Sequence, residues 1–228
     1  MLNLLKKITQ LLRAKQENRL GDFAILKADL AGAKVDRKVA PLLESVVGYY
    51  PAIDLDTLIQ LPVGTFGYEY AKHMRENQLI PFNVSPELDD VAQRNVFALR
   101  YAVTHDIFHV LLGFDTSYAG EIGVLAFAAE QGYSSMLQFS LQIAKWWYPV
   151  IAPNQRDAIR RNTHNGQALA QKAQFLLGYR FEEHWREPIE QVRSHLGLPP
   201  QPGLFPQLEL NPIRQNFSRS VFPMTTKN

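Results

Sequence analysis

Along most of this chain apolar residues recur every three or four positions, the period of helices that bury one face. Over residues 1–15, Leu2, Leu5, Ile8 and Leu12, with Leu4 and Leu11 beside them, form a stripe set against Lys6, Lys7, Arg13 and Lys15. Such a basic amphipathic helix suits an anionic membrane surface, the domain itself or a dimer partner. The pattern is helical again over 21–48, where Gly32 and Pro41 mark the join of two helices, and 54–60 reads as a short helix. Leu61, Pro62 and Gly64 predict a turn, with Thr65 placed to cap a helix over 66–77. Ser85 and Pro86 mark the start of a long run through Leu88, Val91, Val96, Leu99, Val103, Ile107 and Val110 that carries a helix to about Leu112. Further helices are predicted over 118–131, 134–149, 153–177 and 188–196. No two-residue alternation of any length appears, so the expected fold class is all-α. The expected architecture is a single multi-helix domain of about eight helices over 1–198 and an extended or disordered, proline-rich tail over 199–228.

One stretch of this pattern carries chemistry. His105 and His109 are four apart, which on a helix places both imidazoles on one face, close enough to share an ion. Asp106 lies between them. Gly113 and the cluster Asp115, Thr116, Ser117 interrupt the helix, so Glu121 falls one turn into the next one and can fold back toward the histidines. A core histidine pair with a helix-capping carboxylate is the plainer reading. There is no cysteine, so an ion would be held by nitrogen and oxygen alone; such a set suits Zn, Fe or Mn better than Mg. Asp106 is a fourth ligand, a partner behind the ligands or a general base. The motif differs from the HExxH of metalloproteases in the acid, whose glutamate is one methylene longer.

Other positions add weaker signals. Arg156, Arg160 and His164 are spaced by four and form a stripe that could take a phosphate or carboxylate, or simply lie solvated. Trp146, Trp147 and Tyr148 are adjacent and cannot all face one core, so one or two should line a cavity, an oligomer interface or a membrane surface. The small residues of 118–131 allow close helix approach or leave room for a ligand. His73, alone on its helix, reads as surface or packing. A phosphohydrolase built on the adjacent His105 and Asp106 would need His73 and Asp157 to complete it.

Composition narrows the classes further. The 228 residues are 46% hydrophobic and 20% charged, enough for a sizeable core, and a net charge of +2 with no zinc-finger or RNA-binding signature argues against nucleic acid. No apolar run approaches membrane-span length and no signal-peptide cleavage pattern opens the chain, so the expected location is cytoplasmic, peripheral to the inner face of a membrane. No nucleotide-binding signature appears either, and no nucleotide cofactor is expected.

The string HDIFHVLLGFDTSYAGE, with the upstream LPVGTFGYEYAKHMRENQL, resembles the coenzyme Q (ubiquinone) biosynthesis protein 4 family, whose motif is HDxxHx11E; the likeness runs over about residues 20 to 198. The resemblance implies a helical homodimer with an apolar cavity for a polyisoprenoid lipid or prenylated quinone precursor. It also implies association with other quinone-biosynthesis enzymes and a metal site at His105, Asp106, His109 and Glu121. The activity it implies is oxidative decarboxylation of a prenylated hydroxybenzoate ring. The alternative is a non-enzymatic scaffold that presents the lipid to those enzymes.

Overall fold

A computed structural model describes residues 2–200, and among these all the regular elements are helices. The α-helices are α1 (Leu2–Gln16), α2 (Leu20–Leu30), α3 (Leu55–Leu58), α4 (Phe66–Glu76), α5 (Asp89–Arg94), α6 (Val96–Leu112), α7 (Tyr118–Glu130), α8 (Ser135–Ile151), α9 (Arg156–Lys172) and α10 (Ile189–His195), joined in places by short 3-10 turns. Beyond one isolated antiparallel bridge between Thr65 and Pro188, no strand pairing is found among the described residues. The tail expected over 199–228 falls, except for its first two residues, outside them.

α6 and α7 are buried almost all round, which is why neither shows a one-sided apolar stripe. The long helix expected from Leu88 to Leu112 is broken at Asn95. The Asn95 side-chain oxygen accepts from Ala98 N–H at 3.1 Å, capping α6, while its amide donates to Asp29 and to the Ala33 carbonyl. A buried asparagine thus starts a new helix inside an unbroken apolar pattern. The 153–177 helix likewise opens as a 3-10 turn and stops at Lys172, where Ala173 is extended.

Two further anchors fix α6. Arg100, fully buried near its start, pairs with Glu182 at 2.9 Å and donates to the Tyr49 and Tyr179 carbonyls, so the guanidinium is compensated on several sides. At the other end buried Arg193 of α10 donates to the Leu111 and Pro199 carbonyls, placing a cation at the negative end of the helix. α7 and α9 cross where Gly123 faces Gly166: a Cβ on Gly166 would collide with the Gly123 carbonyl. The small residues of α7 therefore serve close helix approach at this crossing.

Candidate metal centre

The turn between α6 and α7 brings the three groups together. Gly113 adopts φ 75°, a left-handed conformation that suits glycine, and the amides of Gly113 and Phe114 both donate to the His109 carbonyl. The chain then doubles back. Ser117 caps α7 through Gly120 N–H, and Asp115 accepts from the Ser117 amide and hydroxyl. Gly120 packs so tightly on the Asp115 carbonyl that a side chain would not fit, and this tight return aims Glu121 at the histidines.

His105 Nε2 lies 3.6 Å from Glu121 Oε2, and His109 Nε2 lies 3.5 Å from Glu121 Oε1. One ligand atom from each of the three residues lies within 4.8 Å of the others. His109 Nε2 and Glu121 Oε2 are buried without a hydrogen-bond partner, an arrangement that a cation between them would satisfy. His109 Nδ1 is 3.1 Å from the Phe114 carbonyl oxygen, which can only accept, so in the neutral ring Nδ1 carries the proton and Nε2 keeps its lone pair for the centre. His109 and Glu121 are buried, whereas the His105 side chain keeps 16% exposure, so access to the centre is from the His105 side.

Asp106 sits behind the cluster. Its Oδ1 is 3.6 Å from Nδ1 of His105, the ring nitrogen opposite the one that faces Glu121. Burial penalises this carboxylate, but the neighbouring His105 outweighs that and holds its pKa below the usual range. For His109 burial again opposes the charge, and Glu121 beside it prevails, raising the imidazole to about 9.

His73 belongs to the site as well. The ring lies nearly parallel to that of His109, centroids 6.0 Å apart, and the residue is buried. Asn77 Nδ2 lies 3.5 Å from His73 Nδ1 and is itself held by Thr116, whose hydroxyl donates to Asn77 Oδ1. Burial, reinforced by His109, lowers His73 to about 4, so it is neutral at physiological pH. Of the two readings, surface or packing, the structure bears out packing, here against a histidine of the centre. The available signal was its register: it lies seven after Phe66 and three after Tyr70, on the buried face of α4. The segment Leu61 to Gly67 docks that helix, since the Phe66 and Gly67 amides donate to the Glu187 and Trp185 carbonyls. Around the cluster stand tyrosines: Tyr101 meets His105 edge-on at 5.8 Å, and Tyr148 of α8 meets Tyr118 of α7 at 5.2 Å.

Arg156, Arg160 and His164 do share a face of α9, exposed and apart from this centre. Arg156 donates to the Pro149 carbonyl, while Arg160 and His164 line a groove of about 480 Å³ between α8 and α9 with Trp146 and Ile159. Asp157, which a phosphohydrolase would need at its metal, is exposed on α9 beside Arg160.

Fold and site define a class: an all-α protein with a largely buried two-histidine, one-carboxylate group that could hold a metal ion. The family model of the coenzyme Q (ubiquinone) biosynthesis protein Coq4 matches residues 50–202, and the chain belongs to that family. Curated relatives include the mitochondrial COQ4 homolog of Nematostella vectensis, 34% identical over 65% of this chain and 72% of its own length. The Xenopus tropicalis homolog is 28% identical over 66% of this chain and 53% of its own, so the chain spans only about half of several relatives it matches. A crystal structure of a Nostoc punctiforme protein assigned by name to ubiquinone biosynthesis superposes with TM-score 0.62 at 27% identity, covering 85% of this chain and 95% of that one.

Proposed function

We propose that this protein binds a prenylated hydroxybenzoate, or a closely related isoprenoid quinone precursor, with its ring at the His105, His109 and Glu121 centre, and removes the ring carboxyl oxidatively. The observation that carries the reading is the convergence of three ligand atoms around two buried, unsatisfied polar atoms, in a chain whose family belongs to ubiquinone biosynthesis. His105, His109 and Glu121 would hold a divalent metal, with Zn, Fe or Mn suiting the donor set better than Mg. When bound, the metal would supply a Lewis acid and, if redox-active, a means of engaging oxygen.

The remaining roles fall to the chain. Asp106 orients His105 through Nδ1, and the Phe114 carbonyl does the same for His109. His73 walls the far side of the His109 ring as a neutral imidazole. Tyr101, which is buried, and the partly buried Tyr118 and Tyr148 provide aromatic surface against which a phenol ring can pack. An isoprenoid tail adds about 0.8 kcal/mol for each CH₂ it buries, fixing the head group without demanding much from polar contacts.

The test is elemental analysis of protein purified without chelators, followed by incubation with a prenylated hydroxybenzoate under oxygen. Stoichiometric metal in the wild type, its loss in His109→Ala, and metal-dependent carbon dioxide release support the proposal. Metal binding with no turnover of any prenylated benzoate leaves a lipid-presenting scaffold as the better reading.

A further inference from the structure

α6 carries one more polar side chain on the face of its histidines. Tyr101, His105 and His109 are spaced by four, so Tyr101 stands one turn before His105 and meets that ring edge-on at 5.8 Å. The residue is 5% exposed, and its ring is caged by Phe97 at 5.6 Å and by Phe108 and Tyr133 at 6.5 Å each. Among the described residues no hydrogen bond to its hydroxyl is found. The phenol nevertheless feels the centre: burial raises its pKa, and the Glu121 carboxylate and Tyr148 raise it further. Glu121 Oε2 is itself buried without a hydrogen-bond partner, so Tyr101 stands near this ligand without being committed to it. A hydroxyl left unengaged on so buried a residue calls for a reason.

We propose that Tyr101 is a substrate-positioning residue, its hydroxyl donating a hydrogen bond to the ring carboxylate of the aromatic substrate at the His105, His109 and Glu121 centre. The inference rests on the function proposed above, in which that carboxylate is the group brought to the centre, and it adds the residue that tells a benzoate from a phenol. Access to the centre is from the His105 side, and Tyr101 is the next side chain along that face of α6. A donor placed one turn from His105 reaches the group that meets the metal-binding residues, which is the carboxylate rather than a hydroxyl elsewhere on the ring. A protonated phenol suits this task, because it offers a fixed donor without placing a second charge beside Glu121. The aromatic cage holds the donor in one plane before any ligand arrives, so little ordering is left for binding to supply. The contact has no counterpart in a product whose carboxyl is gone. It therefore holds substrate and lets product leave.

Equilibrium binding to the metal-loaded full chain tests this with two probes, a farnesylated hydroxybenzoate and the farnesylated phenol that lacks its carboxyl. Wild-type protein is expected to prefer the benzoate. Tyr101→Phe removes one oxygen and keeps the caged ring; it should weaken the benzoate on the order of tenfold and leave the phenol unchanged. Metal content and the unfolding midpoint should stay at the wild-type values, because the hydroxyl has no bond within the described chain to lose. Tyr133→Phe is the control: its hydroxyl donates to Gln131 Oε1 at 2.7 Å, so this substitution should lower the unfolding midpoint and leave the preference intact. A Tyr101→Phe protein that keeps the wild-type preference overturns the inference while the proposed function stands. So does one that loses stability and binds both probes equally less well, since that is the behaviour of a packing residue. Wild-type protein that takes both probes alike, or neither, removes the ring carboxylate from the centre, and the proposed function falls together with the inference.

Discussion

His105 with His109, and Arg156 with Arg160 and His164, are the same pattern in the sequence: functional side chains four apart on a predicted helix. In the structure they differ completely. The first pair sits on a helix buried almost all round, opposite a carboxylate delivered by a tight turn, with an oxygen near the second nitrogen of each ring. The second set lies on the outer face of α9, where Arg160 is 78% exposed and its nearest acid is itself in water. Spacing tells which side chains can act together, but burial and a convergent partner decide whether they form a centre.

The comparison breaks most sharply with His109→Ala. Metal affinity should fall by at least about a hundredfold, and the metal-free protein should lose about 3 kcal/mol because Glu121 is left buried without its partner. Isothermal titration and urea unfolding measure both, and Arg160→Ala serves as the surface control. The next largest effect is that of pH. The folded pKa of His109 is raised from 6.5 to about 9, so its contribution to metal-free stability is fully present below 6.5 and is lost as pH rises through 9. A metal must displace the same proton, so affinity should climb about tenfold per pH unit up to about 9 and level off above it. Opposite trends in stability and affinity on one protein would be hard to obtain from any surface histidine.

Gly166→Val should drive α9 away from α7 at the carbonyl of Gly123, costing about 1–3 kcal/mol in thermal or urea unfolding and loosening Glu121 with it. His73→Ala should reduce metal affinity about tenfold by removing the ring stacked on His109, and His73→Phe, which keeps a flat ring, should restore most of it. At the small end, Arg156→Ala and Arg160→Ala should each change stability by less than about 0.5 kcal/mol.

Much of this was legible beforehand where one local device determines the outcome. Thr65 caps α4 and Gly113 ends α6 in the left-handed region, as their residue types dictate. Glu121 returns to the histidines because the intervening break is made of residues that turn the chain. What stayed hidden depends on distant partners. Asn95 breaks an unbroken apolar run only because Asp29 and Ala33 receive its amide. His73 could not be told from an ordinary packing histidine until α4 was docked by the carbonyls of Trp185 and Glu187. Among Trp146, Trp147 and Tyr148, the adjacency required some side chain to face outward, but only packing against α7 selected Tyr148 as the inner one.

The contact of Arg193 with the end of α6 ties the candidate centre to a late part of the chain. The helix that carries both histidines is closed by a side chain from α10, about eighty residues later in the chain, which at the same time holds the Pro199 carbonyl. A nascent polypeptide still lacking α10 has His105, His109 and Glu121 in hand but no guanidinium over the Leu111 carbonyl. Metal acquired during synthesis would meet an unfinished cradle, and loading should follow release from the ribosome.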